Sequence, residues 1–195
     1  PSSLSYHMPA EWTEHKRCWM QWPTDNDISL NTTDRWSNFD VERGRQAWAK
    51  VANTISNFEG LNMIVSPENR SSAQKLLNPE IEILTTPIND CWARDSGAIF
   101  LLNDQFQLAG VDSDFNSWGY KTNFELDNQV GKFMIEHCDA KYFKNKMVLE
   151  GGSIHVDGRG TLLTTEQCLL NDNRNPGLSK EQIEKNLRDF FGIKK

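Results

Sequence analysis

Apolar and polar positions alternate along this chain on two different periods. From Phe39 to Phe58 the residues Val41, Ala47, Trp48, Val51, Ala52, Ile55 and Phe58 recur at three- and four-residue steps, which predicts a helix with one buried face, stopped at Gly60. Short apolar runs on either side, Cys18 to Trp22, Leu61 to Val65 and Ile81 to Leu84, predict strands; Ser66-Pro67 marks a helix start with proline in the first turn, running to Leu77. Further on, Ala98 to Leu102 and Phe106 to Val111, joined at Asn103-Asp104, predict a hairpin. A helix over Asp127 to His137 follows, with Val130, Phe133, Met134 and His137 inward, and then strands at Lys141 to Phe143 and Met147 to Glu150. Ser153 to Val156 and Thr161 to Thr165 form a second hairpin, turned by Asp157-Gly158-Arg159-Gly160, whose glycines supply positive φ. The last helix has the strongest end signals: Ser179 as cap, Gln182 completing a capping box, Leu178 and Ile183 as a hydrophobic staple, and Gly192 as the stop.

The middle and end of the chain repeat one order of features: strand, carboxylate with glycine close behind, hairpin, loop, helix. Asp95-Ser96-Gly97 precedes its hairpin as Glu150-Gly151-Gly152 precedes the other, 55 residues later. A period of that size indicates a repeated supersecondary unit that cannot close a core alone. Arranged around a pseudo-rotation axis, such units would bring Asp95 and Glu150 to face each other across a central hollow. The glycines after Glu150 admit a very close backbone or ligand; read blandly, they are only a bend and Glu150 is a solvated strand end.

Two acids held together repel unless a cation, a metal or a proton lies between them. Trp92 and Trp118 give the surroundings a flat aromatic character, which favours an organic cation: a guanidinium meets carboxylates as a planar fork and stacks on indole. The competing reading is a structural salt bridge, with Arg94 or another arginine of the chain occupying the pair.

Composition narrows the partners. The 195 residues are sufficient for a real core, and with 37% hydrophobic and 25% charged residues the chain reads as a globular protein. It has no long apolar span and no signal-like start, so a cytoplasmic location is expected, with no membrane partner. A net charge of −6 argues against nucleic acid and for a cationic ligand. Cys18, Cys91, Cys138 and Cys168 form no C-x-x-C pair and are expected to be reduced, packed thiols. His155 and Asp157 share a strand face but lack an evident third ligand, so no metal is expected there and Asp157 is taken as a turn former. The aromatic cluster of Trp12, Trp19 and Trp22 near the start is expected to be packed.

Taken together, His7-Met8-Pro9-Ala10-Glu11-Trp12, Trp92-Ala93-Arg94-Asp95-Ser96-Gly97, Phe115-Asn116-Ser117-Trp118-Gly119, Glu150-Gly151-Gly152-Ser153-Ile154-His155-Val156-Asp157-Gly158, Asn173-Arg174-Asn175-Pro176 and Leu178-Ser179-Lys180 resemble the agmatine deiminases, in the peptidyl-arginine-deiminase-like branch of the guanidino-group-modifying superfamily. The resemblance runs over nearly the whole chain in order. It implies an α/β fold, part of a five-bladed pseudo-symmetric α/β-propeller (pentein) of ββαβ units, that hydrolyses agmatine to N-carbamoylputrescine and ammonia without metal or organic cofactor, on a route to putrescine.

Carried over by position, Asp95 and Glu150 resemble the carboxylates that grip the guanidinium, and Trp92 and Trp118 the pocket walls. The family's catalytic His-x-Asp pair and its nucleophilic cysteine, which forms an amidino-thioether, would fall beyond Lys195. Residues 1–195 are therefore expected to be the N-terminal portion of a single deiminase domain, without its remaining repeats. None of the four cysteines sits at the nucleophile's motif position; Cys91, beside Trp92, is expected to be a small buried thiol. Ser113 and Asp114 depart from the tryptophan and basic residue usual at those positions. The alternative function is a half-propeller that binds guanidino compounds or a partner without turnover; a third, a metal-dependent hydrolase working through His155 and Asp157, predicts loss of activity on chelation. A homo-oligomer is expected, since the segment alone would expose a sheet edge.

Overall fold

A computed structural model describes residues 1–24 and 41–195 of the chain, so the first two residues of the predicted helix, Phe39 and Asp40, lie outside the described residues. Two units divide it: one of residues 14–93 and 122–127, the other of residues 1–13, 94–121 and 128–195.

In the first unit, β1 (Arg17–Gln21), β2 (Gly60–Val65) and β3 (Glu82–Thr85) form a parallel sheet with β2 in the centre. Cys18 pairs with Leu61 and Met63 with Ile83. The central strand is buried from Leu61 to Val65 and apolar there except for Asn62, as befits a parallel strand covered on both faces. Two helices connect the strands, α1 (Val41–Ile55) and α2 (Arg70–Leu76), the latter entered through Ser66 and Pro67 as predicted. Their core gathers Trp22, Ala52, Leu61, Met63, Val65, Ala73 and Ile81, and the Trp22 indole N–H donates to Ser72 Oγ at 3.0 Å. The buried stripe of α1 is rotated from the predicted one: Gly44, Arg45, Ala49 and Ala52 are buried, whereas Ala47, Val51 and Phe58 are exposed. Arg45 can face inward because its guanidinium pairs with Glu42 and donates to the Pro23 carbonyl.

The second unit begins with a helical turn, α3 (Ala93–Ser96), and the hairpin of β4 (Ile99–Leu102) with β5 (Leu108–Asp114). A short turn, α4 (Ser117–Tyr120), and the helix α5 (Val130–His137) lead to β6 (Lys141–Val148), which lies parallel to β5 with Val111 opposite Phe143. The order β4-β5-α5-β6 is one complete ββαβ unit. A second hairpin follows, β7 (His155–Val156) with β8 (Leu162–Leu163), then α6 (Glu166–Leu169) and α7 (Lys180–Phe191). Leu101, Val111, Leu149, Ile154, Leu169, Leu187 and Phe191 form the shared core.

Three expectations for this unit are corrected. One strand replaces the two at Lys141 to Phe143 and Met147 to Glu150, because Asn145, a polar break in the sequence pattern, is buried and bonded to Ser113 and Asn186. The inner face of α5 is Val130, Gly131, Met134 and Ile135, while Phe133 is half-buried and stacks on the exposed His137. Gly110 of β5 sets that face: a Cβ there would lie 2.3 Å from Ile135, so the helix rests on bare backbone. Finally, Trp12 is 72% exposed, although Trp22 is fully buried as predicted. The ends of α7 match expectation throughout: Ser179 and Gln182 close a capping box, and Gly192 takes the left-handed conformation at φ 67°.

Candidate active site

Asp95 and Glu150 occupy equivalent places in consecutive units of pattern. Asp95 belongs to the turn α3 ahead of the β4-β5 hairpin; Glu150 caps the 3-10 turn Gly151–Ser153 ahead of the β7-β8 hairpin. The two turns touch. The Gly152 amide donates to Asp95 Oδ1 at 3.1 Å, and Arg94 Nε donates to the Gly151 carbonyl at 3.1 Å. Added Cβ atoms would lie 2.3 Å from the Arg94 carbonyl oxygen at Gly151 and 2.3 Å from Asp95 Oδ1 at Gly152. The glycine pair therefore exists for close approach, as the sequence suggested.

The other oxygen of Asp95, Oδ2, accepts from the indole N–H of Trp118 at 3.3 Å. Trp118 reaches it from a backbone in a left-handed conformation: Ser117, Trp118, Gly119 and Tyr120 have φ of 52°, 54°, 92° and 62°. Each non-glycine residue so held costs roughly 1–2 kcal/mol, and such strain survives only where surrounding contacts enforce it. Here Asn116 does so, accepting from the Gly119 amide at 3.0 Å while its Nδ2 donates to the Asn173 carbonyl at 2.9 Å. Phe115 packs edge-on to Trp118, ring centroids 5.4 Å apart.

Glu150 is matched differently. Arg174 Nε lies 2.5 Å from Glu150 Oε1, with 4% of the Glu150 side chain and 10% of Arg174 accessible. Glu150 Oε2 is buried and has no hydrogen-bond partner among the described residues. The expectation that an internal arginine could occupy the pair is thus met for one oxygen of one carboxylate. Arg94 is elsewhere engaged, 2.5 Å from Glu11. Two carboxylates against one buried guanidinium leave a negative charge, and its effect is visible on Asp95. Burial raises the Asp95 carboxyl above its ordinary value, the bonds from Trp118 and Gly152 draw it down, the nearby charge of Glu150 pushes it up again, and the charge of Arg94 draws it down.

Arg174 is the functional candidate to which the motif reading gave no role, although it lies in the quoted Asn173-Arg174-Asn175-Pro176. Each polar member of that segment is committed: Asn173 to Asn116, Arg174 to Glu150, and Asn175 to both the amide and carbonyl of Val148, two residues before Glu150. Trp92 falls in the other unit, partly exposed and edge-on to Trp48 at 5.7 Å. Cys91 is a buried thiol, as expected. Asp157 proves a turn former: the amides of Thr161 and Arg159 donate to it and hold its carboxyl down to about 2. Ser113 accepts from Asn145, and Asp114 pairs with Lys144 at 2.8 Å, so both departures from the family pattern are used inside the fold. No described helix is long and apolar enough to cross a membrane.

The chain as a whole belongs to a known class of proteins. The model of the Porphyromonas-type peptidyl-arginine deiminase family matches residues 7–195, and the chain belongs to that family. Among its relatives, the agmatine deiminase of Stutzerimonas stutzeri is 41% identical over 201 residues, covering 99% of this chain and 52% of the relative. A Legionella pneumophila protein provisionally named agmatine deiminase is 43% identical over 197 residues, covering all of this chain and 55% of that protein. The solved agmatine deiminase of Enterococcus faecalis superposes with a TM-score of 0.90 at 36% identity, covering all of this chain and 53% of that one. The chain spans about half the length of the curated relatives it matches.

Proposed function

We propose that the protein is an agmatine deiminase, hydrolysing agmatine to N-carbamoylputrescine and ammonia on a route to putrescine, and that this chain supplies the guanidinium-gripping half of its site. The observation that carries the proposal is the pair of carboxylates in touching turns, with Glu150 Oε2 buried and unpartnered and, among the described residues, a single guanidinium, that of Arg174, bonded to either acid. A monocation with planar donors suits that deficit better than a divalent ion or an amine, because several N–H groups can meet separate oxygens at once. Asp95 and Glu150 bind the guanidinium nitrogens, and Trp118 forms a wall. The Cys nucleophile and His-x-Asp pair of the resemblance come from the rest of the protein, within a five-bladed propeller to which β4-β5-α5-β6 contributes one unit. The enzyme so read works in the cytoplasm as a homo-oligomer, with no metal in its reaction.

Ammonia release by the full-length protein from agmatine, free arginine and a peptidyl-arginine, under identical conditions, tests the assignment. Agmatine is expected to be turned over fastest. Binding of agmatine without ammonia release would replace the enzyme by the non-catalytic guanidino-binding alternative.

A further inference from the structure

We propose that His15, Cys18 and Glu59 form a binding site for a zinc-class divalent metal ion at one end of the parallel sheet. The geometry comes from the strand pairing. His15 precedes β1, Cys18 is its second residue, and Glu59 immediately precedes β2; because Arg17 pairs with Gly60, all three come to the same end of the sheet. One donor atom from each, imidazole nitrogen, thiol sulfur and carboxylate oxygen, lie within 4.8 Å of one another, and no other such trio occurs among the described residues.

The metal-free contacts show how the ligands are preset. His15 Nδ1 lies 2.5 Å from Glu59 Oε2, and the Cys18 thiol donates to Glu59 Oε1 at 3.3 Å. Metal binding exchanges the thiol proton for a metal–sulfur bond: the S–H bond breaks, the proton goes to buffer, the electron pair stays on sulfur, and nothing is oxidised or reduced. His15 contributes an existing lone pair. Two ligands of one tetrahedral zinc lie roughly 3.5 Å apart, so His15 and Glu59 must separate by about 1 Å. With side chains 50% and 26% exposed, they are free to do so. A thiolate-imidazole-carboxylate set selects zinc or cobalt over magnesium or calcium, and leaves the fourth position to water. As bare surface contacts the trio would contribute little to stability, whereas a bound metal would tie the segment before β1 to the start of β2.

Titration of the full-length protein with Co2+ under a phosphine reductant, followed by competition with Zn2+, tests this. The expected result is a sulfur-to-cobalt charge-transfer band with tetrahedral visible bands, displaced by Zn2+. Cys18→Ser is expected to abolish the charge-transfer band and weaken Zn2+ binding by about a hundred-fold or more, and His15→Ala to weaken binding while keeping the band. Glu59→Gln serves as a second variant should Cys18→Ser fail to fold, and is expected to weaken Zn2+ binding likewise. Absence of the band in the wild type, its persistence in Cys18→Ser, or equal Zn2+ affinity in the wild type and a folded variant would overturn the proposal.

Discussion

Asp95 and Glu150 stand at corresponding points of two successive structural repeats, yet among the described residues only Glu150 is bonded to a cation. Glu150 is buried against an arginine from its own unit and keeps one oxygen without a partner; Asp95 is half-buried, bonded to two neutral N–H groups and to no cation among the described residues. Glu150 is therefore part of the framework, whereas Asp95 has no cation within hydrogen-bond reach among the described residues. Pattern symmetry predicts two equal acids. The structure shows that equivalent positions can differ in what their removal does to the fold.

The largest expected effect is shared by both. On the proposed function, Asp95→Asn and Glu150→Gln in the full-length protein are each expected to lower agmatine kcat/KM by about a thousand-fold, since each removes a fixed charge assigned there to the guanidinium. Near-normal rates in both would refute the site. Denaturation should then split the pair. Glu150→Gln strands the Arg174 guanidinium in a buried place and is expected to cost about 3 kcal/mol or more, measured as the urea midpoint. Asp95→Asn leaves no cation stranded and is expected to cost at most about 1 kcal/mol, for one weakened hydrogen bond. Equal losses would erase the distinction between framework and ligand-facing acid.

A smaller effect separates contact from charge. Gly152→Ala puts a methyl group 2.3 Å from Asp95 Oδ1 at a residue whose φ any side chain accepts, so the carboxylate must move while its charge remains. A displacement of about 1 Å is expected to cost up to about a hundred-fold in kcat/KM. Gly177→Ala, with nothing within 4 Å of the added carbon, is the matched control and should leave both rate and stability within about 0.5 kcal/mol of wild type. If Gly152→Ala behaves like Gly177→Ala, the contact between the two turns is incidental.

How much of this was legible follows from how far each determinant reaches along the chain. The ends of α7 were readable because Ser179, Gln182 and Gly192 act within their own helix. The hairpins and the glycines of Asp157–Gly160 were readable for the same reason. The pairing of Arg174 with Glu150 spans 24 residues and leaves no local trace. The left-handed run at Ser117–Tyr120 was equally hidden: one residue in four is glycine, and the constraint comes from Asn116 gripping Asn173, 57 residues away. Asn145 looked like a strand break because its partners Ser113 and Asn186 are 32 and 41 residues distant. The family motifs marked these segments, but the contacts between them became visible only once distant partners met.

Protonation supplies the finest test of the contrast. The folded Asp95 carboxyl titrates above its ordinary 3.8, so the folded chain holds that proton more tightly than the unfolded chain. Its contribution to stability is therefore fully present below pH 3.8 and is lost as pH rises through the folded value, while the form that grips a cation is the one present above it. Asp127, buried in the other unit and raised to about 7, has the same sign over a wider window and must be separated first. At roughly 1.4 kcal/mol per pH unit it removes up to about 4 kcal/mol between pH 3.8 and 7, a slope that Asp127→Asn should largely abolish. In that background, Asp95→Asn is expected to flatten the smaller remaining slope, and a saturating guanidinium ligand to flatten it as well by favouring the ionised carboxylate. A ligand that leaves the slope unchanged while still binding would place its cation on Glu150 alone, and the acid bonded to no internal cation would then have no part in recognition.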